Sequence, residues 1–65
     1  MKIYEANYNI VKQTENKKTG ANVHHVNSLL NLYHVRIKQY NRGSINIKEV
    51  EEIENKLIEF IKKDQ

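Results

Sequence analysis

Over the last third of the chain apolar residues return at every third or fourth position: Ile47, Val50, Ile53, Leu57, then Phe60 and Ile61. That is the period of one face of a helix. Asn46 followed by Glu49 reads as a capping box, with the asparagine side chain accepting from the N3 amide. Glu49, Glu51 and Glu52 crowd the start and Lys62 and Lys63 the end, as the helix dipole favours. The pattern predicts a helix over about 46–63.

Upstream the pattern is less continuous. Val23, Val26 and Leu30 give one short helical pattern, and Leu32, Val35, Ile37 and Tyr40 give another, out of phase with the first around Asn31. A break at Asn31 resolves the mismatch, because asparagine tolerates the left-handed backbone of a tight turn. Gly43 and Ser44 punctuate the chain before the last helix, and Glu15 to Gly20 is a polar loop. Residues 2–14 fit a helix through Ile3, Ala6, Ile10 and Thr14, and also alternate like a strand through Tyr4, Ala6, Tyr8 and Ile10. Helix is the preferred reading, since a lone strand would have nothing to pair with. The expected fold class is all-α: one domain over 1–65, a small bundle of four or five short helices.

Length and composition sharpen this picture. A chain of 65 residues buries only about 60% of its unfolded surface and needs extra support. It has no cysteine, so disulfides and thiolate zinc sites are excluded, and self-association becomes the expected source of that support. No apolar run approaches the ~20 residues of a membrane span, nor is there a signal-like apolar stretch; a soluble, cytoplasmic protein with no membrane partner is expected. Nine asparagines, abundant lysine and isoleucine, and no proline suggest an AT-rich coding sequence, as of a low-GC bacterium, phage or plasmid, and a phage, plasmid or mobile-element origin is expected.

Charge is distributed unevenly. Residues 1–48 hold eight Lys/Arg against two Glu, whereas residues 49–65 hold three Lys against six acids. A basic body with an acidic last helix suits a protein that offers one face to a polyanion.

A helix-turn-helix has specific needs. Two short helices meet steeply across a tight turn, apolar residues of both reach one core, and the second helix keeps a polar outer face for the major groove. Val26 and Leu30 supply core positions for a first helix, Asn31 the turn, and Leu32 the apolar residue after it. Ile37 and Tyr40 supply the core face of a second helix, ended by Arg42 and Gly43. From Gly20 to Leu57 these residues resemble the Cro and lambda-repressor (XRE-like) helix-turn-helix family: Gly20, Val26, Leu30-Asn31-Leu32, Ile37, Tyr40 and Arg42-Gly43 fall at its spacing, and Val50, Ile53 and Leu57 resemble the helix that follows the motif.

The resemblance implies a motif over about 21–43 and a sequence-specific transcriptional regulator that binds double-stranded DNA. Its base-facing residues would be Tyr33, His34, Val35, Lys38 and Gln39. Lysine suits guanine, glutamine suits adenine, and valine suits a thymine methyl. Asn22, Arg36, Arg42 and Lys48 would meet phosphates and set register, Asn22 as the cap of the first motif helix. Leu57, Ile58, Phe60 and Ile61 span more than one helical face and would form a homodimer interface, spacing two recognition helices one DNA turn apart.

Other chemistries find little support. His24, His25 and His34 lack a carboxylate or cysteine cluster beside them, and adjacent histidines point about 100° apart on a helix. No metal and no cofactor are expected. Ser28 and Ser44 have no partnered base, so no enzyme is expected. The competing class is a small helical module that binds a host protein, such as a phage- or plasmid-type inhibitor or antitoxin, with the acidic stretch from Glu49 to Glu59 as its working surface.

Overall fold

The computed structural model describes residues 3–63. They form three helices, α1 (Tyr8–Asn16), α2 (Val23–Asn41) and α3 (Ile47–Lys63), preceded by a non-helical segment over residues 3–7. The all-α expectation holds; the count of four or five helices does not. No helix of the described residues is long and apolar enough to cross a membrane.

The difference lies in α2, which runs through Asn31 without a turn. Val26, Leu30, Tyr33 and Ile37 are its buried residues, and they share one face at spacings of three and four. Leu32 had forced the break, because as a core residue it is out of phase with Leu30. In the fold Leu32 is 39% exposed and lies off that face, so nothing demands a turn. Asparagine costs a helix interior only about 0.6 kcal/mol relative to alanine, and no non-glycine residue among those described takes a positive φ. Burying Tyr33 and Ile37 in phase with Leu30 outweighs that cost.

The left-handed residue is Gly43, with φ +80°. Ser44 N–H donates to the Gln39 carbonyl and Gly43 N–H to the Tyr40 carbonyl, both at 2.9 Å. This pair of bonds is the Schellman closure of a helix C-terminus, and it ends α2 at the expected place. After a short link, α3 folds back beside α2. Asn46 caps α3 at the expected place but through a different amide: its Oδ1 accepts from Lys48 N–H at 3.2 Å, one residue before the expected N3 position, while Glu49 N–H donates to the Asn46 main-chain carbonyl at 3.1 Å. The start of α3 at Ile47 agrees with the expected helix over 46–63.

Among the described residues, the buried apolar ones all come from this α2–α3 pair: Val26, Leu30, Tyr33 and Ile37 against Val50, Ile53 and Leu57. The contribution of α1 is lighter. Ile10 and Val11 pack partly against the cluster, and Thr14 is buried with its hydroxyl donating to the Ile10 carbonyl at 2.7 Å. This α1 starts later than the helix expected over 2–14 and takes in Glu15 and Asn16 from the expected loop. Asn7, in extended backbone, caps it, accepting from Asn9 N–H at 3.1 Å and Ile10 N–H at 3.4 Å, and residues 3–6 before it belong to no helix or strand. Residue 2 lies outside the described residues. This segment does have something to pair with, although it is a side chain: the Asn41 amide donates to the Tyr4 carbonyl at 2.9 Å and accepts from its N–H at 2.7 Å.

Candidate nucleic-acid interface

Three and four residues along a helix return to nearly the same side. On α2 this places His24, Ser28, Asn31, Val35 and Lys38 in one row, which Arg42 extends just past the helix end; all six are exposed. At about 1.5 Å per residue the row is about 27 Å long. Leu32 (39% exposed) and Gln39, half-buried, flank it. The row lies opposite the face that Val26, Leu30, Tyr33 and Ile37 bury, so neither α1 nor α3 covers it.

This row sits in a stretch with no acid at all. Between Glu15 and Glu49 the chain has no Asp or Glu, but it carries Lys17, Lys18, Arg36, Lys38, Arg42 and Lys48. Carboxylates repel phosphates, so their absence over a whole exposed helix face keeps the local field positive. The outer side of α3 is the reverse, with Glu51, Glu52 and Glu59 all exposed.

The fold sorts the expected contacts. His34, Val35, Lys38 and Arg42 are exposed and Gln39 is half-buried, so these residues reach solvent on α2. Lys48 is exposed in the first turn of α3. Tyr33 is a correction: it has no exposed surface and belongs to the core, because the unbroken helix turns it toward α3. Arg36 is half-buried, and its Nη1 donates to the Glu49 carbonyl at 2.8 Å, so it joins α2 to α3. Asn22 occupies the N-cap position of α2 but makes no side-chain cap. Its side chain instead accepts from Thr19 N–H at 2.6 Å and donates to the Lys17 carbonyl at 3.1 Å, tying the preceding turn together. Asn31 and Ser28 on the outer row were not among the expected contacts. The acid-free run around them was the available signal.

Of the expected subunit contacts, Leu57 is fully buried in the chain's own core and cannot meet a second copy. Ile58, Phe60 and Ile61 are half-buried. Phe60 lies 6.0 Å from the His25 ring and, with Leu29, Lys56, Glu59 and Lys63, lines an open groove of about 210 Å³. Among the described residues no group of three or more His, Cys, Asp or Glu could hold a metal ion.

A polar cluster sits on another side of α2. The hydroxyls of Tyr4 and Tyr33 both donate to Glu54 Oε2, at 2.7 and 2.5 Å, and Asn7 N–H donates to the Tyr33 hydroxyl at 2.9 Å. Burial, and after it the bond to Glu54, pushes the Tyr33 hydroxyl up to about 12 and raises that of Tyr4 for the same reasons. An unfolded tyrosine titrates near about 10. The folded chain therefore holds both protons where the unfolded chain has released them. This stabilisation is complete below about pH 10 and is lost as pH rises through about 12. Urea midpoints followed by circular dichroism are expected to fall from about pH 9 to about pH 11, and to fall less steeply in Tyr33→Phe.

No family model, no curated protein and no solved structure matches the chain.

Proposed function

We propose that this chain is a DNA-binding regulator that lays the outer face of α2 in the major groove as one straight helix, with no turn at Asn31 and no catalysis. One observation supports this reading above all: the exposed row from His24 to Arg42 is free of acids in a chain that places most of its carboxylates on the last helix. The B-form major groove is about 12 Å wide and admits a single helix. In this arrangement Asn31, Lys38 and Gln39 face base edges, and Val35 and Leu32 meet thymine methyls. Arg42 and Lys48 meet phosphates; neither makes a side-chain hydrogen bond among the described residues.

The test is fluorescence anisotropy with duplex DNA from the chain's own upstream region and with scrambled duplex, over a salt series. Binding is expected to weaken steeply with salt. Arg42→Ala with Lys48→Ala is expected to flatten the slope by about two, since each lost phosphate contact removes about 0.9. Gln39→Ala is expected to cost about 1–3 kcal/mol on the preferred duplex and little on the scrambled one. Absence of binding at low salt would overturn the reading.

A second reading rests on Leu32 and Val35, which are 39% and 48% exposed on the same side of α2. A protein partner of the inhibitor or antitoxin kind would bury them. Its binding would depend on Leu32 and Val35 and hardly on Lys38 or Arg42.

A further inference from the structure

Residues 3–7 lie against the α2–α3 pair as a non-helical strap that enters Asn7 in extended backbone, and side chains of those two helices hold it. Asn41 takes both backbone groups of Tyr4, as a neighbouring strand would. Glu54 takes the Tyr4 hydroxyl at 2.7 Å, and Tyr40 meets the Tyr4 ring edge-on with centroids 5.9 Å apart. Tyr33, itself donating to Glu54, accepts the Asn7 N–H. Ala6 packs against the core cluster between these anchors.

This is how a binding groove reads an extended peptide. Main-chain bonds give grip, and a pocket for one side chain gives selectivity. A tyrosine hydroxyl bonded to a carboxylate discriminates against phenylalanine, because Glu54 Oε2 then keeps only one of its two donors, that of Tyr33. The contacts join residues 26 to 50 positions apart in sequence. None of them requires that the strap be continuous with α1.

We propose that the groove framed by Asn41, Tyr33, Tyr40 and Glu54 is a receptor site for an extended, tyrosine-bearing peptide, which the chain fills in cis with its own residues 3–7. The partner is a segment with a tyrosine followed two positions later by a small residue, and it binds when the strap is out. The site lies away from the outer row of α2, so it stands independently of the DNA reading. A tethered strap competes at an effective concentration of the order of millimolar or higher, and the wild-type groove is therefore closed to weak peptides.

The experiment uses the full chain carrying Tyr4→Ala and a fluorescent peptide with the sequence of residues 3–9. Anisotropy is expected to show at least tenfold tighter binding to Tyr4→Ala than to the wild type. A peptide with phenylalanine at the position of Tyr4 is expected to bind at least tenfold more weakly than the tyrosine peptide. If circular dichroism shows Tyr4→Ala to be unfolded, the readout is the return of helical signal on adding the tyrosine peptide. The proposal is overturned if the folded variant binds no peptide, if the two peptides bind equally, or if an unfolded variant gains no helix.

Discussion

Tyr33→Ala is expected to leave the chain largely unfolded at 25 °C. Tyr33 is the largest fully buried side chain and touches both halves of the structure, its ring within the α2–α3 core and its hydroxyl between Asn7 and Glu54. Removing a buried aromatic ring costs about 3–5 kcal/mol. The whole stability of a chain this size is about 3–10 kcal/mol. The same change also strands the Asn7 N–H and takes one of two donors from Glu54. Tyr33→Phe keeps the ring and loses the hydroxyl, with an expected cost of about 1–3 kcal/mol. Urea unfolding followed by circular dichroism measures both. Had Tyr33 faced DNA, as its place in the motif implied, Tyr33→Ala would leave stability nearly unchanged.

The second large effect is expected at Asn31, where two substitutions are expected to move stability in opposite directions. Proline inside a helix removes a hydrogen bond and clashes with the preceding turn, at about 3 kcal/mol or more. In the middle of α2 it would separate Val26 and Leu30 from Tyr33 and Ile37. Asn31→Ala is expected to stabilise by about 0.6 kcal/mol, since alanine is the better helix former and Asn31 is exposed. At a left-handed turn residue the same alanine would destabilise, by about 1–2 kcal/mol. The sign of the alanine effect in thermal or urea unfolding therefore separates an unbroken α2 from a helix-turn-helix.

The sequence made α3 plain because its apolar residues, its cap and its end charges all agree. The end of α2 at Gly43 was equally clear, since a glycine is what a left-handed helix terminus needs. In the middle of α2 the pattern misled. A leucine on the surface looks the same in sequence as a leucine in the core, and one misplaced residue, Leu32, created a turn that the chain does not need. Moving the phase at Leu32 also moved Tyr33 from core to surface, so the error in the fold became an error in the site. Lys38, Arg42 and Val35 were unaffected, because both phases leave them outside. The strap could not be read locally. Its partners are Asn41 and Glu54, 37 and 50 residues from Tyr4, and two of the bonds engage backbone groups, which carry no residue signature.

The claim that the outer face of α2 meets DNA is tested most directly by where an added duplex shifts the amide resonances in a nitrogen–proton NMR spectrum. Shifts concentrated at Ser28, Asn31, Val35, Lys38 and Arg42, with Glu51, Glu52 and Asn55 on α3 unmoved, are the expected result. Shifts centred on α3, or none on any element at low salt, would contradict it.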